Sequence, residues 1–99
     1  MELEILTAAE AEQRQRRIAG GLLAAGLVGG DRVALVGTSG AARLCAVRGA
    51  LRVGIAPVLT HAGLLPDERA ELLDDAQPAA VLDEASLARL SDSAPAELA

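Results

Sequence analysis

Three short apolar runs, each separated from the next by a helix-forming stretch, restrict the fold of this chain more than any other feature. The runs are rich in aliphatic and β-branched residues, which favour extended backbone, and they lie at residues 32–36, 55–59 and 79–82. Helical segments are predicted after them, at residues 41–52, 66–75 and 84–90. Strands that alternate with helices imply right-handed crossovers and a parallel sheet. The sequence therefore predicts an α/β fold in the order helix-β-α-β-α-β-α, as a fragment of a larger, three-layer-type parallel sheet.

A longer helix is predicted before the first strand. Thr7 and Glu10 have the spacing of a capping box, and Gly26, or the pair Gly29 and Gly30, is expected to end the helix. The positions expected on its buried face recur at helical spacing: Ala11, Gln15, Ile18, Leu22 and Ala25. Its basic residues lie mostly on another face, which we interpret as a solvated surface in preference to a partner site: Arg14, Arg16 and Arg17.

Single residues refine the later elements. Ser39 is expected to cap the second helix, and Gly54 to end it. Pro57 indicates an edge position or a bulge in a second buried strand, since proline cannot donate to the sheet ladder. Pro66 suits the first turn of the third helix. The α/β segment is thus predicted to occupy residues 1–90, and residues 91–99 a small, polar and frayed tail.

Composition limits the classes of function that are open to the chain. Its 99 residues suffice for one small domain, 52% of them are hydrophobic, and none is Phe, Trp or Tyr, so the core must consist of Leu, Val, Ile and Ala. The net charge is −5 without a single lysine, which argues against nucleic-acid binding and against lysine-dependent chemistry. One cysteine excludes an internal disulfide and indicates a reducing, cytoplasmic setting. The apolar run at residues 18–30 is too short and glycine-rich to span a membrane.

The turn after the first predicted strand resembles the start of a nucleotide site. Gly37 and Gly40 enclose Thr38 and Ser39 between a strand and a helix. A dinucleotide fingerprint needs a third glycine and a later acid, and a phosphate loop needs a lysine; the chain has neither arrangement. A free helix N-terminus that attracts an anion weakly would remain. We interpret the segment as a plain strand-to-helix turn.

Four other residues have side chains that could take part in a site. His61 follows the second strand, at the edge where α/β sheets place ligands, but it has no fixed carboxylate or second histidine beside it. Cys45 is expected to be a buried small side chain, and Asp74 with Asp75 a solvated helix end in preference to a metal pair. The sequence therefore predicts no catalytic, cofactor-binding or metal-binding residue within this chain.

Several phrases, in order, resemble one enzyme family. They are LAAGLVGGDRVAL at residues 23–35, ALRVGIAPV at 50–58, LPDERAELLDDA at 65–76 and AVL at 80–82. Together they resemble the beginning of AMP-forming acyl-CoA synthetases, the adenylate-forming ligases. Where the family usually has Asn-Ser-Pro after the first strand, this chain has the turn from Gly37 to Gly40. The resemblance covers nearly the whole chain, from about residue 7 to residue 83.

The resemblance implies the N-terminal segment of a ligase that joins a carboxylic acid to ATP and passes the acyl group to coenzyme A. ATP, magnesium and coenzyme A are implied for a full-length member, whose catalytic motifs come later, so the 99-residue chain alone is expected to be inactive. The implied partner is the remainder of the ligase domain. CoA ligases, peptide-synthetase adenylation domains and luciferase-like relatives stay open, as do a free-standing α/β module that self-associates through its sheet edge and a fragment of a nucleotide-binding oxidoreductase.

Overall fold

The computed structural model describes residues 7–60 and 64–97. Within these ranges it contains the seven elements that the sequence predicts, in the predicted order. They are α1 (Ala8–Ala24), β1 (Arg32–Leu35), α2 (Gly40–Arg52), β2 (Ala56–Leu59), α3 (Pro66–Ala76), β3 (Ala80–Leu82) and α4 (Glu84–Leu90). The predicted α/β class is confirmed.

The three strands form a parallel sheet in the order β2-β1-β3. β1 is central, and its residue Ala34 is level with Val58 of β2 and Val81 of β3. Because neighbouring residues in register point to the same side of a sheet, these three side chains share one face. Val33 and Leu35 point to the other face and are buried in the core. β1 is thus buried on both sides, as its continuous apolar sequence predicts.

The helices lie in two layers. α1, α2 and α4 cover one face of the sheet, where Ile18, Leu22 and Leu87 are almost completely buried together with residues of β1 and α2. The crossover from β2 to β3 runs opposite in direction to that from β1 to β2, so right-handed connections place α3 on the second face. α3 buries none of its own residues. The second face is therefore thinly covered, which agrees with a fragment of a three-layer fold.

The ends of α1 follow local sequence signals. Thr7 Oγ1 accepts from the Glu10 amide at 3.1 Å and also donates to Glu10 Oε1 at 3.1 Å. Gly26 ends the helix with φ +95°, as predicted. Ala25 was wrongly assigned to the buried face: it is exposed, because it is already the capping residue of a helix that stops at Ala24.

α1 and α2 approach closely where α2 has no side chain. A Cβ at Gly49 would lie 2.8 Å from the Gln15 carbonyl oxygen, closer than such atoms come in proteins. An ion-pair clamp lies beside this contact: Glu12 accepts from Arg52 of α2 at 2.6 Å and from Arg16 of its own helix at 2.8 Å. Both hydrogen bonds hold the pKa of Glu12 below its ordinary value, that from Arg52 contributing most.

β2 differs from its prediction. It is an edge strand, as Pro57 indicates, but it is not the buried strand that its apolar sequence suggests, since Ala56 and Leu59 are exposed. β3 is the other edge, and Val81 is 51% exposed there. A fully apolar strand is typical of a sheet covered on both faces, and within residues 7–60 and 64–97 only the central strand is covered on both.

The C-terminal segment, residues 91–97, lies against α1. The Ala96 amide donates to the Arg16 carbonyl at 2.9 Å, and the Arg14 Nε donates to Ser91 Oγ at 3.4 Å. The sequence predicts a polar, frayed tail at residues 91–99, whereas residues 91–97 are hydrogen-bonded to α1. Local composition could not reveal these contacts, because their partners lie some 80 residues earlier in the chain.

Candidate functional site

The carboxyl edge of the sheet is where α/β proteins place ligands, and the Gly37–Gly40 turn lies there. Gly37 and Gly40 have φ values of +64° and +61°, which other residues rarely adopt, so the turn itself requires glycine at both positions. The space that a Cβ would occupy is open at both. The backbone is therefore accessible, as a phosphate loop would be.

The helix N-terminus beyond this turn already has an anionic partner. The Ser39 amide donates to Glu84 Oε1 at 3.0 Å, and Glu84 begins α4 directly after β3. The carboxylate stands at the positive end of the α2 dipole, where a bound phosphate would otherwise lie. Among the amides that would attract an anion weakly at this N-terminus, that of Ser39 is therefore already bonded within the chain.

Ser39 occupies the cap position without acting as a cap. Its backbone is extended, but its side chain accepts no hydrogen bond from the helix, contrary to prediction. The first turn of α2 is stabilised from α4 instead. Asp83 caps α4, accepting from the Ser86 amide at 2.8 Å and the Ser86 hydroxyl at 2.9 Å. These bonds lower the pKa of the Asp83 carboxyl, the backbone amide having the largest effect.

Two buried threonines at the same edge differ in their hydrogen bonding. Thr60 follows β2, is 6% exposed, and donates its hydroxyl to the Leu35 carbonyl at 2.8 Å. Thr38 is 8% exposed, yet its hydroxyl has no hydrogen-bond partner in residues 7–60 and 64–97. Buried hydroxyl groups are normally paired, and the Thr38 hydroxyl is the one buried side-chain polar group that the described residues leave unsatisfied.

The other candidates within the described residues do not join this edge. His61 lies outside the described residues. Cys45 is 3% exposed within the core of α2, as predicted. Asp74 and Asp75 are exposed at the end of α3, at the amino edge of the sheet, where Asp75 lines an open notch of about 440 Å³ near Arg32. Arg32 donates to the last carbonyl of α3, that of Ala76, at 2.9 Å.

No three His, Cys, Asp or Glu side chains in the described ranges are arranged to hold a metal ion. No helix in those ranges is both long enough and apolar enough to cross a membrane.

The basic cluster of α1 is only partly the solvated face that we predicted, because Arg16 is paired with Glu12 and Arg14 contacts Ser91.

Sequence reasoning missed Glu84, whose carboxylate accepts a hydrogen bond from the Ser39 amide of the turn. The sequence signal that could have found Glu84 is its position at the start of the helix that follows β3. If β3 lies beside β1, the carboxyl ends of the two strands are neighbours, and an acidic side chain after β3 can reach the N-terminus of α2, the helix that follows β1. The sequence alone did not supply the strand order. Apart from the Thr38 hydroxyl, the polar groups described at this edge are hydrogen-bonded within the chain, and we interpret them as a support for the turn in preference to a nucleotide pocket.

The fold itself is that of the N-terminal domain of acyl-CoA synthetases. The chain aligns with the benzoate CoA ligase of Burkholderia xenovorans LB400 at a TM-score of 0.85 and 27% identity, covering 95% of this chain and 24% of that one. It aligns with the o-succinylbenzoate CoA synthetase MenE of Bacillus subtilis, in complex with AMP, at 0.84 and 24% identity, covering 100% of this chain and 30% of that one. A fatty acyl CoA synthetase of Mycobacterium tuberculosis aligns at 0.82 and 23% identity, over 95% of this chain and 24% of that one.

The sequence profile of the AMP-binding enzyme family matches residues 1–98. The chain therefore belongs to the AMP-binding enzyme family, as its sequence phrases indicate. No curated protein sequence matches it. The chain spans between a quarter and a third of the length of the solved ligases named above.

Proposed function

We propose that this chain is the N-terminal portion of an AMP-forming carboxylic acid–CoA ligase. The complete enzyme would activate an acid as its acyl-adenylate and transfer the acyl group to coenzyme A. The observation that carries the proposal is the family match over residues 1–98, together with the structural likeness to CoA ligases of which the chain spans only a part. The single, buried Cys45 suits a cytoplasmic location, which is part of the proposal.

In this proposal the chain alone does not catalyse acyl activation. In its one loop that resembles a phosphate site, the Ser39 amide is bonded to Glu84, and the chain has no lysine to contact a phosphate. MenE has been solved with AMP and with ATP and magnesium, which supports these cofactors, with coenzyme A, for the complete ligase. They would be bound by its remaining segments.

Two measurements test the proposal. ATP–pyrophosphate exchange by the 99-residue chain, assayed with a panel of aromatic and aliphatic acids, should not exceed a no-protein control. In cells, an antibody against the chain should detect a polypeptide of roughly three to four times its 10.0 kDa, since the chain covers 24–30% of the named ligases. Clear exchange by the chain would refute the assignment of chemistry to later segments. A native polypeptide of 10 kDa would refute the ligase.

The partner in this proposal is the remainder of the ligase domain, docked on the exposed sheet. A free-standing module that self-associates is the second candidate, and exposed apolar residues at both sheet edges favour it: Leu59 is 46% and Val81 is 51% exposed. Sedimentation velocity separates the two. A dimer that dissociates in Leu59→Lys and Val81→Lys, but not in the α1 control Leu23→Lys, would favour the module if the native polypeptide is also small.

A further inference from the structure

The path of the C-terminal segment over α1 depends on two adjacent glycines in the last third of that helix. A helix-interior glycine costs stability relative to alanine, so the pair Gly20 and Gly21 needs a structural reason. The structure provides one, since residues of the C-terminal segment fill the space where both side chains would be. Residues 93 to 96 run along α1 in the direction opposite to the helix.

The contact at Gly20 involves main-chain atoms that have little freedom to move. A Cβ at this position would lie 2.0 Å from the Ala94 carbonyl oxygen and 2.9 Å from the Ala96 nitrogen. The Ala96 amide donates to the carbonyl of Arg16, the residue one helical turn before Gly20. A side chain one turn later shields such a carbonyl from outside donors. Because Gly20 has no side chain, the Arg16 carbonyl stays accessible, and the Ala96 amide of the C-terminal segment donates to it.

The contact at Gly21 is more yielding. A Cβ there would lie 2.5 Å from Leu90 Cδ2 and 2.6 Å from Ser93 Oγ, which are the ends of side chains. Such groups can rotate away at small cost, whereas backbone cannot. The two glycines should therefore differ in their sensitivity to substitution. The segment is also tied to α4, because the Ser91 hydroxyl donates to the Leu87 carbonyl at 2.8 Å.

We infer that the Gly20–Gly21 surface of α1 is a docking groove for an extended peptide segment, and that its occupant is the chain's own residues 93–96. The docked segment acts as a strap. It continues from α4, crosses α1 and hydrogen-bonds to the α1 backbone, so that α4 and α1 are held together from outside the core. The strap includes no residue of the turn at the carboxyl edge, and the inference does not rest on the proposed function.

Hydrogen exchange followed by NMR tests the strap. In the unmodified chain the Ala96 amide should exchange more slowly than in a free peptide, because it is bonded to Arg16. In Gly20→Ala its exchange should become about tenfold faster, or reach the free-peptide rate, while the amides of β1 keep their protection. Gly21→Ala should have a smaller effect. Gly29→Ala is the matched control, since a Cβ there meets its nearest atom, the Val53 carbonyl oxygen, at an ordinary 3.6 Å.

A second variant guards against a fold defect in α1. Ala96→Pro removes the amide donor without altering the helix, and it should raise the exchange of the Ser93 amide, which donates to the Leu90 carbonyl, by releasing the end of the strap. The inference is overturned if the Ala96 amide of the unmodified chain exchanges at the free-peptide rate. It is equally overturned if Gly20→Ala leaves the protection of Ala96 unchanged, or if Gly29→Ala removes that protection as effectively.

Discussion

Thr38 and Thr60 allow one substitution to be made at two buried sites with opposite expected results. Both threonines lie at the carboxyl edge of the sheet and are more than nine-tenths buried. The Thr60 hydroxyl donates to Leu35, while the Thr38 hydroxyl has no partner among the described residues. Valine has the shape of threonine with a methyl group in place of the hydroxyl. Substitution by valine therefore tests the hydrogen bond and leaves the packing nearly constant.

The magnitudes follow from the hydrogen bonds. A buried polar group without a partner costs about 1–3 kcal/mol, and a typical intramolecular hydrogen bond contributes about 0.5–1.5 kcal/mol. Thr38→Val should raise the free energy of unfolding by about 1 kcal/mol, and Thr60→Val should lower it by about 1 kcal/mol. The melting temperatures should move apart, since 1 kcal/mol corresponds to about 4–8 °C in a domain of this size.

The assay is urea and thermal unfolding followed by far-ultraviolet circular dichroism, since the chain has no Trp or Tyr to serve as a fluorescent probe. The double variant should unfold close to the unmodified chain if the two sites act independently. If Thr38→Val destabilises the chain as much as Thr60→Val does, the Thr38 hydroxyl is hydrogen-bonded in solution. In that case its description as the unsatisfied group of the turn is wrong.

Three further predictions concern single groups. The pKa of Glu12 is lowered in the folded chain, so its contribution to stability is complete above the unfolded value of about 4.3 and is lost as the pH falls through the folded pKa. Glu12→Gln should therefore reduce the loss of melting temperature between pH 6 and pH 3. An unchanged loss would contradict the clamp with Arg52. Leu87 is 1% exposed, so Leu87→Ala should lower the free energy of unfolding by about 2–5 kcal/mol in a urea titration. Leu44 is 52% exposed, so Leu44→Ala should lower it far less in the same measurement. Glu84→Ala should lower the unfolding free energy by about 0.5 kcal/mol in low salt, and the effect should shrink in 1 M salt; a salt-independent effect would exclude the helix-dipole contact.

The helices and strands that local signals define were predictable from the sequence. α4 has the predicted bounds because Asp83 caps it locally. α3 begins at Pro66 as predicted, and Gly26 and Gly54 follow α1 and α2 with positive φ. Each of these signals acts over three or four residues, so a single sequence contains all the necessary information.

The site was less predictable because its contacts join distant parts of the chain. The bond between Ser39 and Glu84 spans 45 residues and needs β3 to lie beside β1. Gln77 ends α3 in a left-handed conformation with φ +46°, which cannot be predicted from the sequence because glutamine has no preference for this conformation. The exposure of β2 likewise depends on how many layers cover the sheet, which an apolar sequence does not report.

Gly49 provides a final test of whether close helix approach or helix propensity controls this fold. Alanine is favoured over glycine inside a helix by about 1 kcal/mol, so propensity alone predicts that Gly49→Ala is stabilising. The structure predicts the opposite. The new Cβ would stand 2.8 Å from the Gln15 carbonyl oxygen and 3.6 Å from the Ala19 nitrogen, both in the backbone of α1. α1 must therefore move as a body by about 0.6 Å for the contact to reach an ordinary 3.4 Å.

A gap of that size between α1 and α2 forfeits about a quarter to a half of the dispersion attraction between the atoms it separates. It also lengthens the 2.6 Å bond from Arg52 to Glu12. Overpacking typically costs about 1–3 kcal/mol, which outweighs the gain in propensity and leaves a net destabilisation of about 1 kcal/mol. Gly29→Ala, measured beside it by urea unfolding, should stay within about 0.5 kcal/mol of the unmodified chain. If Gly49→Ala proves more stable than the unmodified chain, α1 and α2 are not in close contact at Gln15, and the layer of helices on this face is looser than the structure shows.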